Sequence, residues 1–265
     1  MAGLHGDEIN GIEIVRRIRE EGLDQPHRGT IITIPVLNIY GFIHFSRELP
    51  DGKDVNRSFP GSRKGSLASR VAYHLTKEIL PHIDFGIDLH TGGDSRSNFP
   101  QIRCDFSDEE NLRLAKAFNA PFTINSSLIP KSLRKTAYKM DKRILVYEGG
   151  ESQRFDEEAI KEALDGMRRF LMAMSMIDKN DLVGEKETVL LPSRTWLRAE
   201  AAGMFRPFLY NGAPVKKGQK LGEIVGPFGD LKIEIESPED GYVIGLNNRP
   251  IVHQGDALIN IGKLS

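Results

Sequence analysis

His5 and Glu8 stand three residues apart in "GLHGDEINGIEIV" (3–15), where an amphipathic helix begins. Two more groups fall where buried strands end: His90 closes "IDLH" and Glu148 closes "ILVYE". Taken singly, each has an ordinary reading. An acidic group suits the positive end of a helix, a lone histidine is simply hydrogen-bonded, and a strand-end carboxylate is solvated. Taken together they supply what a catalytic zinc needs. Such an ion takes three protein ligands from histidine and carboxylate and leaves a fourth position for water, whose pKa falls to about 7. Two ligands close in sequence and a third from a distant strand end build that triad, so His5, Glu8 and His90 read as ligands to one Zn2+ per chain. A nearby unligated carboxylate can take the water's proton. Glu148, followed by Gly149 and Gly150, reads as that base.

These groups need a frame, and the first two-thirds of the chain alternates helices with strands. Ile9, Ile12, Val15 and Ile18 recur at helical spacing, and Gly22 can close the helix. "TIITIPVLN" (30–38) is a continuous β-branched run that predicts a strand covered on both faces. Helix is predicted over 66–80, strand over 82–90, helix over 108–119, and strands over 121–125 and 143–148. Ile160, Leu164, Met167, Leu171 and Met174 mark a long helix over 156–177. The alternation predicts an α/β layer fold with a mostly parallel or mixed sheet flanked by helices, and ligands in such folds gather at the carboxyl ends of strands.

The texture changes after the polar stretch 176–187, which reads as a linker. Beyond it, short apolar runs alternate with turn signals such as "NGAP", "KKGQ", "SPEDG" and "HQGD". That pattern predicts a small all-β barrel or sandwich. The expected organisation is a catalytic domain over 1–180 and a β domain over 188–265.

Composition narrows the function classes. With 36 basic and 37 acidic residues, the net charge of −1 gives no general attraction to nucleic acid or anionic membrane. A single cysteine, Cys104, excludes an intramolecular disulfide framework and fits a reducing compartment. No apolar run is long enough to span a bilayer, and no secretion signal opens the chain. The expectation is a cytoplasmic protein acting on a small molecule, with homo-oligomerisation left open.

"GLHGDEINGIE", "DVNRSFPG", "DLHTGG" and "YEGGE", in this order, resemble the succinylglutamate desuccinylase/aspartoacylase family of the wider zinc carboxypeptidase superfamily. The resemblance covers residues 3–155 by motif. It implies a zinc carboxypeptidase-like fold, with His5, Glu8 and His90 as zinc ligands and Glu148 as general acid/base. It further implies that Asn56 and Arg57 hold a substrate carboxylate and that Arg47, matched by neighbourhood, polarises the scissile carbonyl. Arg57 offers the planar fork that suits a carboxylate, and a cation aimed at a developing oxyanion lowers an acyl-transfer barrier. The family pattern also has a strand leading into H-x-x-E; here only Met1 to Leu4 precede His5, so the catalytic domain is expected to lack its N-terminal strand.

Arg103, Arg134 and Arg143 read equally well as substrate contacts or as solvated charges. His27, His44, His74, His82 and His253 read as surface or packing residues. The β region is similar to biotinyl/lipoyl carrier barrels. Counting eight residues back from Pro238, however, reaches Asp230 rather than a lysine, and Lys232 lies in the following strand. That argues against a swinging-arm carrier. The expected function is therefore a zinc-dependent amide hydrolase that removes an acyl group from an N-acyl amino acid or similar small carboxylate-bearing amide. A zinc carboxypeptidase acting on peptide C-termini shares the ligand set, and a non-catalytic binding module could keep the fold.

Overall fold

The computed structural model describes residues 1–178 and 187–264. The α-helices among the described residues are α1 (Ile9–Glu20), α2 (Ile39–Ile43), α3 (Leu67–His74), α4 (Glu109–Phe118), α5 (Leu133–Lys139) and α6 (Glu157–Ala173). The strands begin with β1 (Phe85–Gly92), β2 (Arg96–Cys104), β3 (Phe122–Asn125) and β4 (Arg143–Glu151). The C-terminal strands are β5 (Val189–Leu191), β6 (Ser193–Arg198), β7 (Gly203–Pro207), β8 (Pro214–Val215), β9 (Lys220–Val225), β10 (Lys232–Glu236), β11 (Gly241–Asn247), β12 (Ile251–Val252) and β13 (Ala257–Lys263).

The main sheet is mixed and runs β1–β4–β2–β11–β13–β6, with β3 beside β2, β5 beside β3 and β8 beside β11. β1 and β4 are parallel, whereas β2 runs antiparallel to β4 and to β11. A second, antiparallel sheet runs β10–β9–β7–β12. Its Phe205, Leu221 and Ile224 pack with Val243, Ile259 and Ile261 of the main sheet, so the β region is a sandwich sharing its inner layer with the α/β part. Apolar side chains from α1, α4 and α6 meet Leu89, Ile102, Leu145 and Tyr147 on one face of the main sheet. α3 and α5 bury Ala72, Leu133 and Ala137 with Ile144 on the other.

Three expectations change. Residues 30–38 form no strand, and the chain bends at Pro35 and Leu37. A ladder needs consecutive backbone partners, and here the bonds pass through Ala2 and Gly3: Ala2 N–H to Ile34 O (2.8 Å), Leu37 N–H to Ala2 O (3.2 Å) and Asn38 N–H to Gly3 O (2.7 Å). Before Ile34 the segment flanks an apolar cavity of about 710 Å3, with Ile87 and Phe170 on other walls. The helix predicted over 66–80 stays α-helical only to His74, then widens into a π turn over Leu75–Ile79 and ends in a 3-10 turn. Finally, β2 was not expected, because Pro100, Arg96 and Arg103 interrupt an apolar reading. It is central all the same, and its Ile102 and Cys104 face the core while Arg103 faces the other way. The predicted linker lies largely outside the described residues.

Candidate metal centre and active site

Residues 1–4 run beside β1, with Leu89 N–H bonded to Met1 O at 2.9 Å, and this carries His5 to the end of β1 near His90. A turn follows, and Glu8 is the residue on which α1 starts. Gly6 permits the next contact, since a Cβ there would lie 1.9 Å from the Gly41 carbonyl carbon. Gly6 N–H bonds Ser46 O at 3.1 Å, which sets Arg47 beside His5.

His5, Glu8 and His90 are all buried, and one ligand atom from each lies within 4.8 Å of the others. Glu8 sits between the two rings: His5 Nδ1 is 2.9 Å from its Oε1, and His90 Nδ1 is 2.7 Å from its Oε2. Thr91 N–H also donates to Oε2, at 3.2 Å. Each ring turns its other nitrogen to a carboxylate: His5 Nε2 lies 3.2 Å from Asp54 Oδ1, and His90 Nε2 lies 2.8 Å from Asp88 Oδ2. A carboxylate only accepts, and each ring stands between two of them, so both nitrogens can donate when the ring is protonated; with a metal bound, the outer carboxylate would take the Nε2 hydrogen and leave the Nδ1 lone pair free to ligate. That is how metal-binding histidines are oriented, with an outer carboxylate fixing tautomer and ring. The donor set, two imidazoles and a carboxylate, suits zinc.

Charge follows the same geometry. Burial works against ionised Glu8, but His5 and His90 outweigh it and hold the carboxyl well below the usual range. Burial likewise opposes a charged His90, and Asp88 with Glu8 outweighs it, so this ring lies well above its ordinary value. His5 is raised in the same way by Glu8 and Asp54. The surrounding carboxylates thus favour positive charge at the two rings, which protons supply and a bound metal would have to displace.

Arg47 reaches this cluster. Its Nη1 is 3.3 Å from His5 Nδ1 and 3.4 Å from Glu8 Oε1, and Nη2 donates to Asp54 Oδ2 at 2.9 Å. Glu148 lies in register with His90 across the parallel β1–β4 pair, so both side chains leave the same face. Asn98 Nδ2 donates to its Oε2 at 2.8 Å, and Arg103 Nη1 lies 2.8 Å from Oε1. Behind it Gly150 has φ +77°, and a Cβ there would lie 2.4 Å from Asn10 Nδ2.

The remaining predicted residues are arranged differently. Asn56 Oδ1 accepts from Leu133 N–H at 3.0 Å and so holds the start of α5. Arg57 is exposed and donates to Asn56 O at 2.8 Å, with no bond to the cluster. Arg143 pairs with Asp108 at 3.1 Å and with Asp141, away from the site. Sequence reading missed Asp54, Asp88 and Asn98. The acidic residues two before Asn56 and two before His90 were in view inside the quoted motifs; Asn98 had no signal without β2.

The family model for the succinylglutamate desuccinylase/aspartoacylase catalytic domain matches residues 1–174. The chain belongs to this family. Among relatives of this family member, an N-alpha-acetyl-L-2,4-diaminobutyric acid deacetylase from Halomonas elongata is 26% identical over 277 residues, covering 99% of this chain and 80% of the relative. The product-bound ectoine utilization protein EutE from Ruegeria pomeroyi has the same fold, with a TM-score of 0.87 at 24% identity over 99% of this chain and 84% of its own. A succinylglutamate desuccinylase/aspartoacylase from Rhodobacter sphaeroides superposes with a TM-score of 0.87 at 25% identity, over 99% of this chain and 84% of that one. Among the described residues no helix is long and apolar enough to cross a membrane.

Proposed function

We propose that this family member is a zinc-dependent hydrolase that removes an acyl group from an N-acyl amino acid or a similar small carboxylate-bearing amide. The observation that carries the reading is the pair of inward Nδ1 atoms facing Glu8, each ring backed by its own carboxylate. His5, Glu8 and His90 would hold one zinc, which when bound supplies Lewis acidity for activating water and polarising a carbonyl. The relative named as an N-acetyl-diaminobutyrate deacetylase supports amide deacylation of a small amino-acid derivative.

The chain's own groups then have distinct tasks. Glu148 takes a proton at a carboxylate oxygen and returns it to the leaving amine. Asn98 and Arg103 hold that carboxylate in place, one on each oxygen. Arg47, bridging Asp54 and Glu8, directs positive charge to where the carbonyl oxygen becomes negative. Asn56 and Arg57 anchor a substrate carboxylate once Arg57 leaves the Asn56 carbonyl. Residues 1–180 form the catalytic domain in this reading and 188–265 the β domain, within the cytoplasm.

Metal analysis combined with a substrate panel tests it. About one zinc per chain is expected, with most lost on His5→Ala or His90→Ala. N-acyl amino acids should be hydrolysed and short peptides should not. Full zinc retention by the double variant, or turnover of peptides alone, would overturn the reading.

A further inference from the structure

His5, Glu8, His90 and Glu148 all belong to the α/β part of the chain, yet strand β11 of the β region is tied to both oxygens of Glu148. β2 carries the links. Its register with β4 sets Gln101 opposite Glu148 but Asn98 opposite Gly150, so a step of three residues along β2 matches a step of two along β4. The extra residue is a β-bulge. It turns Asn98, Gln101 and Arg103 to one face, which strict alternation would not do. Pro100 lies inside the bulge and brings no N–H to a ladder.

Gln101 is fully buried, and its amide makes the cross-strand contact that Pro100 cannot. Nε2 donates to Ile244 O of β11 at 2.9 Å and to Phe99 O at 3.0 Å. The β2–β11 ladder stops beside this contact, at the Gly245–Asn98 pair. The other end of the same amide, Oε1, lies 3.5 Å from Arg103 Nε, and Arg103 Nη1 holds Glu148 Oε1. Asn98 holds Glu148 Oε2 and stands opposite Gly245, where a Cβ would lie 3.0 Å from Asn98 Oδ1. Asn211, also of the β region, donates to Ser97 Oγ at 2.7 Å and steadies the same stretch of β2. Two successive residues of β11 thus stand behind the two side chains that grip one carboxylate.

We propose that β11 positions the general base, with Gln101 and Asn98 as the positioning residues through which it acts. This rests on the hydrolase reading, which makes Glu148 the base, and extends it to the β region. A base works only while its oxygen is held within reach of the proton it takes, so small displacements fall on the rate. The elements that carry the metal ligands do not fix that carboxylate alone. The β region therefore acts on turnover, from behind Glu148, rather than on the metal.

Gln101→Met keeps a buried side chain of similar size but neither donates to Ile244 O nor accepts from Arg103. In the full chain, kcat for an N-acetyl amino acid should fall about tenfold, with KM changed less than about twofold and zinc content unchanged. In a Glu148→Gln background the same substitution should cost almost nothing further, because the base it positions is gone. A merely structural role would repeat the full loss there, and that result, or an unchanged kcat in folded Gln101→Met, overturns the proposal. Gly245→Ala approaches Glu148 from the other oxygen, through Asn98. It should show the same split and the same dependence on Glu148, and it decides the matter if Gln101→Met does not fold. Crystal structures of the unaltered chain and of the variant give a readout that needs no turnover: the Glu148 carboxylate should turn away from its original orientation. A Glu148 that stays in place overturns the link to β11 even if hydrolysis is intact. A Glu148 that turns, in a protein that cleaves no amide, leaves the link standing and overturns the hydrolase reading instead.

Discussion

Asp88 accepts a hydrogen bond from His90 across only two positions of β1, with Oδ2 2.8 Å from Nε2. The pair is buried, and Asp88 Oδ1 has no partner. Together with the Glu8 contact it holds the ring with Nδ1 toward Glu8, the orientation in which His90 could act as a ligand.

Asp88→Asn should therefore weaken zinc binding without removing a ligand. The amide can present an N–H toward Nε2, which favours the wrong tautomer. A loss of roughly ten- to a hundredfold in affinity is expected. Competition against a chelator measures it, and unchanged affinity would show that His90 is oriented by something else.

Glu148→Gln separates chemistry from binding. The fold and metal content should persist, since Asn98 and Arg103 can still reach the side chain, while turnover falls about a hundredfold or more. Zinc lost in parallel would make Glu148 a ligand, and unchanged turnover would remove it from the mechanism.

Arg57→Lys tests the carboxylate anchor. Charge is kept but the two-pronged geometry is lost, so KM should rise for carboxylate-bearing substrates. A substrate with that carboxylate converted to an amide should be poor already and should feel the change little. Simple addition of the two losses in a double cycle would show that Arg57 and the carboxylate do not meet.

Cys104 gives a pH prediction away from the site. Burial pushes its thiol up from 9.0 to about 12. A folded value above the unfolded one favours the fold fully below pH 9 and loses that contribution as pH rises toward 12. The native thiol should resist alkylation at pH 8 and react on unfolding. Cys104→Ala should flatten the alkaline decline in stability, and rapid native alkylation would contradict the burial argument.

Much of the site was legible because its signals are local. The period of Ile9, Val15 and Ile18 predicted α1, and apolar runs predicted β1 and β4 with His90 and Glu148 near their ends. Ordered motifs pointed to His5, Glu8 and the family. What remained hidden depends on register. Pro100 and two arginines disguise β2, yet pairing with β4 and β11 makes it a strand, and that pairing alone delivers Asn98 and Arg103 to Glu148. The run 30–38 has every local mark of a strand and is none, because a ladder depends on its neighbour's backbone rather than on its own side chains. Likewise Asp54 and Asp88 were visible as acids, but only the folded arrangement aims them at the outer nitrogens of His5 and His90. The sequence by itself determined which groups could do chemistry; the tertiary structure decided their orientations and partners. Those depend on contacts between residues as distant in the chain as Glu8 and His90, which no local pattern encodes.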